Sequence, residues 1–268
     1  MRFGYCANLN FLLREDEQSK AVFEAVLEVR YDYIELPLSM IPQLDAGHRR
    51  DLKKRLADAD VPCRANFLLF PHELPLVGPD RDLAAIREHA KKVLPVAAEL
   101  GSEVVVFGNG GSRRVREGMD TAWVHRQLVD ILQVIEPIAA QNNVKIALEP
   151  LCSRETNSVT NYPEAARMAH EGGDAIGAVC DLYHVVTDGQ SPAEVQQFPE
   201  KLFHCHIAYP KGRTVPTRSD DMVYYNEFAN ALKAAGYNER LSIEAAPPAV
   251  NLKQMVADAL TLLKQLFN

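Results

Sequence analysis

Val144-Lys145-Ile146-Ala147-Leu148-Glu149-Pro150 is an apolar run that ends on an acid and is cut off by a proline, and Ile176-Gly177-Ala178-Val179-Cys180-Asp181 repeats the arrangement downstream. Runs this continuous in apolar residues mark strands buried on both faces, the habit of parallel sheets covered by helices. Working outward from this pair, similar runs occupy Leu202–His206 and Leu241–Glu244 on one side. On the other side lie Arg2–Cys6, Tyr33–Leu36, Pro62–Phe67 and Glu103–Phe107, which makes eight expected strands. The second is short.

Helical spacing fills the gaps. Val22, Phe23, Val26 and Leu27 form one stripe, and Leu83, Ile86, Ala90, Val93, Leu94 and Ala97 another. Val124, Leu128, Ile131, Leu132, Ile135 and Ile138 form a third, and Leu252, Met255, Val256, Leu260 and Leu263 close the chain. Pro163 and Pro192 suit first-turn positions, with Ser191 as an N-cap for a short helix squeezed between Ser191 and Phe198. Gly101, Gly172 and Gly236 fall where helices should stop. Eight βα repeats close into a barrel, so the expected fold is α/β, a single (β/α)8 TIM barrel forming one domain over residues 1–268. No Pro/Gly/Ser linker or shift in composition divides the chain.

Composition agrees with an ordinary globular protein. Hydrophobic residues make up 47% and charged residues 24%, enough to build a sizeable core. A net charge of −7 opposes polyanion binding, and the densest basic cluster, Arg113-Arg114-Val115-Arg116, is too short to overcome it. At least one of those arginines is expected to lie in a solvated loop. The five cysteines (Cys6, Cys63, Cys152, Cys180 and Cys205) are scattered without a CxxC pair, as in a reducing compartment. With no signal-like N-terminus and no membrane-length apolar stretch, the expectation is a cytoplasmic protein with no membrane or nucleic-acid partner.

Barrel enzymes carry their chemistry at the C-terminal ends of the strands, so what each run ends with is informative. The fifth ends on Glu149, the sixth on Asp181, the seventh on His206 and the eighth on Glu244. Neighbouring strands lie about 4.8 Å apart, so side chains at one level must converge. Three carboxylates cannot stay ionised in a dry pocket without a compensating cation. One divalent metal ion supplies it; three oxygen donors and one imidazole suit Mn²⁺ first, with Mg²⁺, Co²⁺ or Zn²⁺ as alternatives. Taken singly, each acid could be a helix N-cap or a loop ion pair, and His206 a satisfied half-buried ring. Their occurrence on four consecutive strands favours the metal.

Three other residues draw notice. His184, three residues after Asp181, lies on the following turn and faces either the same mouth or a loop hydrogen bond. His204 shares a side with His206 by strand alternation and reads as a deeper, structural histidine. Glu35 either orients a ligand or substrate from the far side or partners a buried arginine.

Leu148-Glu149-Pro150-Leu151 with Arg154-Glu155-Thr156-Asn157, then Asp181-Leu182-Tyr183-His184, His204-Cys205-His206-Ile207-Ala208 and Ile243-Glu244, resembles the xylose isomerase-like TIM barrels. Tyr33-Ile34-Glu35-Leu36 and Val105-Val106-Phe107-Gly108 extend the likeness. Within that superfamily the chain is similar to the sugar phosphate isomerase/epimerase group, which includes ketose 3-epimerases and hydroxypyruvate isomerase. The resemblance implies that Glu149, Asp181, His206 and Glu244 hold the metal. It implies that Glu149 and Glu244 also exchange the substrate proton from opposite faces, and that His184, Arg213 and Glu155 contact substrate oxygens. The activity so implied is isomerisation or 3-epimerisation of a small sugar or hydroxy-carbonyl compound through a metal-stabilised cis-enediolate. Homo-oligomers are common in such families, and a homo-oligomer is expected as an option here.

The chain also departs from that pattern. Where many relatives carry a Gly-x-Gly-x-Ile-Asp-Phe segment after strand seven, it reads Arg218-Ser219-Asp220-Asp221-Met222-Val223-Tyr224-Tyr225. Phe107-Gly108-Asn109-Gly110-Gly111-Ser112-Arg113-Arg114 reads as a plain flexible loop, or as a loop holding a phosphate or carboxylate on backbone N–H groups and Arg113 or Arg114. Alternative readings are a keto-polyol dehydratase on the same metal and a non-catalytic sugar-binding barrel. A zinc-dependent endonuclease is disfavoured, because runs three and four end without histidine and the net charge repels DNA.

Overall fold

Each of the eight apolar runs forms a strand in the computed structural model, which describes residues 1–267. The strands are β1 (Arg2–Cys6), β2 (Tyr33–Pro37), β3 (Cys63–Phe67), β4 (Val104–Phe107), β5 (Lys145–Leu148), β6 (Ile176–Asp181), β7 (Leu202–Ile207) and β8 (Arg240–Ile243). They are parallel, neighbour one another in chain order, and close through a β1–β8 pairing. The fold is a (β/α)8 TIM barrel. Around it lie α1 (Glu17–Val29), α2 (Ala46–Ala59), α3 (Leu83–Leu100), α4 (Thr121–Gln141), α5 (Tyr162–Gly172), α6 (Leu182–Thr187), α7 (Met222–Ala234) and α8 (Leu252–Phe267). None of the described helices is long and apolar enough to cross a membrane.

The helix between β6 and β7 differs from the expectation. Pro192–Gln197 forms a 3-10 turn capped by Ser191, and the α-helix begins directly after β6 at Leu182. Asp181 explains the difference: its carboxylate accepts the Tyr183 N–H at 2.7 Å and so nucleates a helix one residue past the strand. Pro192 at its first turn and Pro199 just beyond its end confine the later stretch to a 3-10 turn of six residues.

Alternation sorts each strand's side chains between the helices and the lumen. Ile34, Val105, Ile146, Cys180, Cys205 and Leu241 join the large core beneath the helices. Tyr33, Ala65, Val104, Val106, Ala147 and Val179 form a small separate cluster inside the barrel. Glycines make room for the bulkier lumen side chains: a β-carbon on Gly4 would lie 2.2 Å from the Tyr33 ring, and one on Gly177 2.2 Å from Phe203. The N-terminal end is tied by Glu103, which accepts from both Arg2 guanidinium nitrogens at 2.9 Å, from Arg64 at 2.8 Å and from Arg240. The same parity carries upward. Glu35 is two residues beyond Tyr33, Glu149 two beyond Ala147 and Asp181 two beyond Val179, so all three face inward at the C-terminal end.

Candidate metal centre

Register decides which side chains meet. Asp181 and His206 are paired across β6 and β7, and Ile207 is paired with Ile243 across β7 and β8. Glu149 and Glu244 each stand one residue past their strand, but their backbones continue the ladder: the N–H of Glu149 donates to Phe107 O and that of Glu244 to Ile207 O, both at 3.1 Å. Glu149, Asp181, His206 and Glu244 thereby offer four ligand atoms that all lie within 4.8 Å of one another. Sequence reasoning grouped these four, and the structure brings them together.

His206 is the hub. Its Nδ1 lies 3.0 Å from Glu149 Oε1 and 3.3 Å from Glu244 Oε2, while Nε2 faces Glu35 Oε1 at 3.2 Å. Glu149, Asp181 and His206 are buried; Glu244 is 22% exposed and faces the opening. Asp181 combines two tasks. One oxygen caps α6, while Oδ2 is buried and makes no hydrogen bond among the described residues. The nearest side-chain nitrogens to it are His184 Nε2 at 3.6 Å and Arg213 Nη2 at 3.9 Å. A buried anionic oxygen left without a donor is costly unless a cation completes its surroundings. With three carboxylates and an imidazole converging around that oxygen, the residues fit one divalent ion.

The two glutamates sit in different fields. Burial raises the Glu149 carboxyl above its ordinary range. Burial acts in the same sense on Glu244, but Arg213 and then His206 outweigh it and hold that carboxyl low. Arg213 donates to Glu244 Oε2 at 2.7 Å and to Glu155 Oε1 at 3.2 Å, and its guanidinium lies 4.8 Å from the centre of the Tyr183 ring. It rides on a turn after β7 with a positive φ of 51°. That turn is fastened to the loop after β8, because Ala246 N–H donates to Arg213 O at 2.7 Å and Thr214 bridges to Ala246. His184 lies just behind. Its Nδ1 accepts the Cys152 N–H at 3.1 Å and its Nε2 is directed toward Asp181. Burial works to lower its pKa, but the Asp181 charge outweighs it and raises it to about 9.

A cavity of about 390 Å³ opens beside Glu244 and Arg213, lined further by Cys6, Asn8, Asn10 and Phe67. It is of the size that holds a small ligand.

The loop after β4 corrects an expectation. Arg113 is neither a solvated arm nor an anion ligand: it is fully buried, donates to the Glu149 carbonyl and lies 5.8 Å from the centre of the Phe107 ring. Burial pulls its pKa down to about 10. Arg114 donates to the Arg154 carbonyl at 3.2 Å, and Arg116 pairs with Asp80 at the surface. The segment after β7 forms a turn ended by Asp221, which caps α7. Of the two alternatives for Glu35, the arginine partner is not found: it pairs with His204 and His206. The role of Gly108, which leaves the space that Glu149 fills, was not read from the sequence. Strand parity could have put both in the lumen, though not named their partners.

A family model described as xylose isomerase-like TIM barrel matches residues 23–266. The chain belongs to that family. Comparison with curated protein sequences returns no match. Among solved structures, D-psicose 3-epimerase from Clostridium cellulolyticum H10, crystallised with D-tagatose, superposes over 100% of both chains with a TM-score of 0.82 at 16% identity. The 3-keto-D-glucoside 4-epimerase YcjR from E. coli covers 99% of both chains, with a TM-score of 0.80 at 20% identity. IolI, solved with a bound zinc atom, covers 100% of this chain and 98% of its own, with a TM-score of 0.75 at 20% identity. At these identities the likeness concerns the fold of this xylose isomerase-like barrel.

Proposed function

We propose that the chain is an enzyme, a divalent-metal-dependent isomerase or 3-epimerase of a small sugar or related hydroxy-carbonyl compound, built as one domain over residues 1–268. The observation that carries this reading is the convergence of Glu149, Asp181, His206 and Glu244 around the unpartnered Asp181 oxygen at the barrel's C-terminal mouth. Those four would hold the ion, Mn²⁺ first among the hard-to-borderline cations this donor set suits. When bound, the cation would supply Lewis acidity to a carbonyl and its neighbouring hydroxyl, which acidifies the carbon between them. The two solved epimerases and the zinc-bearing IolI described above support the reading, as does the small cavity beside Glu244.

The protein's own residues do the proton work. Glu149 rises beside β5 and Glu244 beside β8, with His206 between them, so a carbonyl compound held over the ring has a carboxylate on either side. Environments that push two carboxyls apart in pKa suit one to take a proton and the other to give one. Epimerisation follows when the proton returns to the opposite face of the same carbon, and isomerisation when it returns to the neighbouring carbon. Arg213, released in part from Glu155 and Glu244, would bind substrate oxygens; Glu155 would accept from a hydroxyl, and His184 Nε2 would donate to an oxygen on the Asp181 side.

The test is solvent exchange. Incubated with Mn²⁺ and a panel of ketoses in D₂O, the protein should wash deuterium into at least one sugar. Glu149→Gln and Glu244→Gln should each slow that exchange by about 10²–10⁴-fold. No exchange with any divalent ion across the panel would overturn the proposal.

A further inference from the structure

Glu35 lies beneath the four converging ligands, fully buried in the lumen where β2's inward parity places it. A buried carboxylate persists when donors surround it. Here they do: His206 Nε2 lies 3.2 Å from Oε1, and His204 Nε2 lies 2.9 Å and Ser242 Oγ 2.5 Å from Oε2. The Tyr33 hydroxyl lies 2.7 Å from Ser242 Oγ. These contacts fix where the hydrogens go, because an ionised carboxylate accepts and cannot donate. Ser242 must give its proton to Glu35, so Tyr33 must donate to Ser242, and both imidazoles must present Nε2–H. Three of the four donors end on Glu35, and the fourth, Tyr33, ends on Ser242.

For His206 this has a consequence. With its Nε2 hydrogen held by Glu35, the nitrogen left to face the site is Nδ1, 3.0 Å from Glu149 and 3.3 Å from Glu244; it can carry a hydrogen to those carboxylates, and gives that hydrogen up to offer a cation its lone pair. The ring nitrogen that binds a cation is commonly set by the hydrogen bond the other nitrogen makes. Resting on the metal-site reading above, we infer that Glu35 is a positioning residue: it fixes the tautomer and ring plane of His206 so that Nδ1 faces the site formed with Glu149, Asp181 and Glu244. The network also selects between two places. Cys6, Glu35 and His206 form a second group with ligand spacing on the other edge of the ring. A cation there would need the Nε2 lone pair, which is the nitrogen that donates its hydrogen to Glu35. The network therefore favours the site with Glu149, Asp181 and Glu244 over the one with Cys6.

A buried carboxylate between two histidines could instead serve stability alone, so the test needs readouts that stability does not move. Zn²⁺ is titrated into the full chain against a chelating indicator, for the wild type, Glu35→Ala and Glu35→Gln, with thermal melts run beside each. Loss of an outer carboxylate of this kind weakens metal binding by about 10–100-fold, the effect expected for Glu35→Ala. Glu35→Gln, which keeps the volume and can accept from one ring but must offer N–H to the other, should fall between. Spectra of the Zn²⁺-loaded wild type with ¹⁵N-labelled histidine should show His206 bound through Nδ1 with a slowly exchanging Nε2–H. That measurement stands even if Glu35→Ala fails to fold. Folded variants with wild-type Zn²⁺ affinity, or His206 bound through Nε2, would overturn the role of Glu35 and leave the metal site standing. A wild type that binds neither Zn²⁺ nor Mn²⁺ would overturn both.

Discussion

Gly108→Ala adds one carbon at the most crowded point of the proposed site. A β-carbon at Gly108 would stand 2.0 Å from Glu149 Oε2 and 3.2 Å from its Cδ, whereas ordinary contact begins at 3.4 Å. The carboxylate must therefore retreat by about 1.4 Å, or the β4 and β5 backbones must part by a similar distance. Retreat is blocked on one side by His206, 3.0 Å from the other carboxylate oxygen. Overpacking of this kind costs about 1–3 kcal/mol, so the variant should still fold, with a Tm lowered by roughly 2–4 °C per kcal/mol. Function should suffer more, since misplacing a reacting group by about 1 Å can cost roughly 10²-fold in rate. The assay pairs a Zn²⁺ or Mn²⁺ competition titration with deuterium wash-in. Gly111→Ala, whose nearest neighbour would be Asn109 Oδ1 at 3.9 Å, serves as the control from the same loop and should behave as the wild type. A Gly108→Ala protein with undiminished cation affinity and exchange rate would refute the claim that Glu149 needs this space.

Arg213→Lys should raise KM by about 10–100-fold, because a single ammonium cannot replace a planar fork that reaches both Glu155 and Glu244. Arg213→Gln, which removes the charge, should also move the acid limb of the kcat/KM profile to higher pH, since Arg213 helps hold the Glu244 carboxyl low; an unmoved limb would separate the two residues. At the opposite end of the barrel, bonds from Arg2 and the nearby arginines outweigh burial and hold Glu103 at about 2 against an ordinary 4.5. Its contribution to stability is thus complete above pH 4.5 and fades as the pH falls toward 2. Melts of Glu103→Gln should show a Tm deficit at neutral pH that closes through that window, and a constant deficit would contradict the assignment.

The strands were legible because a covered parallel sheet writes itself as apolar runs. Arg2–Cys6 and Ile176–Asp181 coincide with β1 and β6 to the residue. The four converging residues were legible for a related reason: chain order equals spatial order in this barrel, so strand ends adjacent in sequence are adjacent in space. What could not be read depends on contacts without a local signal. Arg113 looks like part of a solvated basic cluster, and its burial is decided by the Glu149 carbonyl on another strand. Glu35 and His204 are 169 residues apart and meet across the lumen, where alternation gives the facing but not the height. The short helix α6 was misplaced because Asp181 reads equally well as a strand end and as a helix cap, and it is both.

The tie between the turn carrying Arg213 and the loop after β8 has a practical reach. Exchanging either loop alone with a relative's would cut the Thr214–Ala246 bridge and set the guanidinium adrift from the glutamate it accompanies. Anyone reshaping the substrate preference of this barrel should transplant residues 209–214 and 244–246 as a matched pair, with Tyr183 kept as the surface on which the arginine rests.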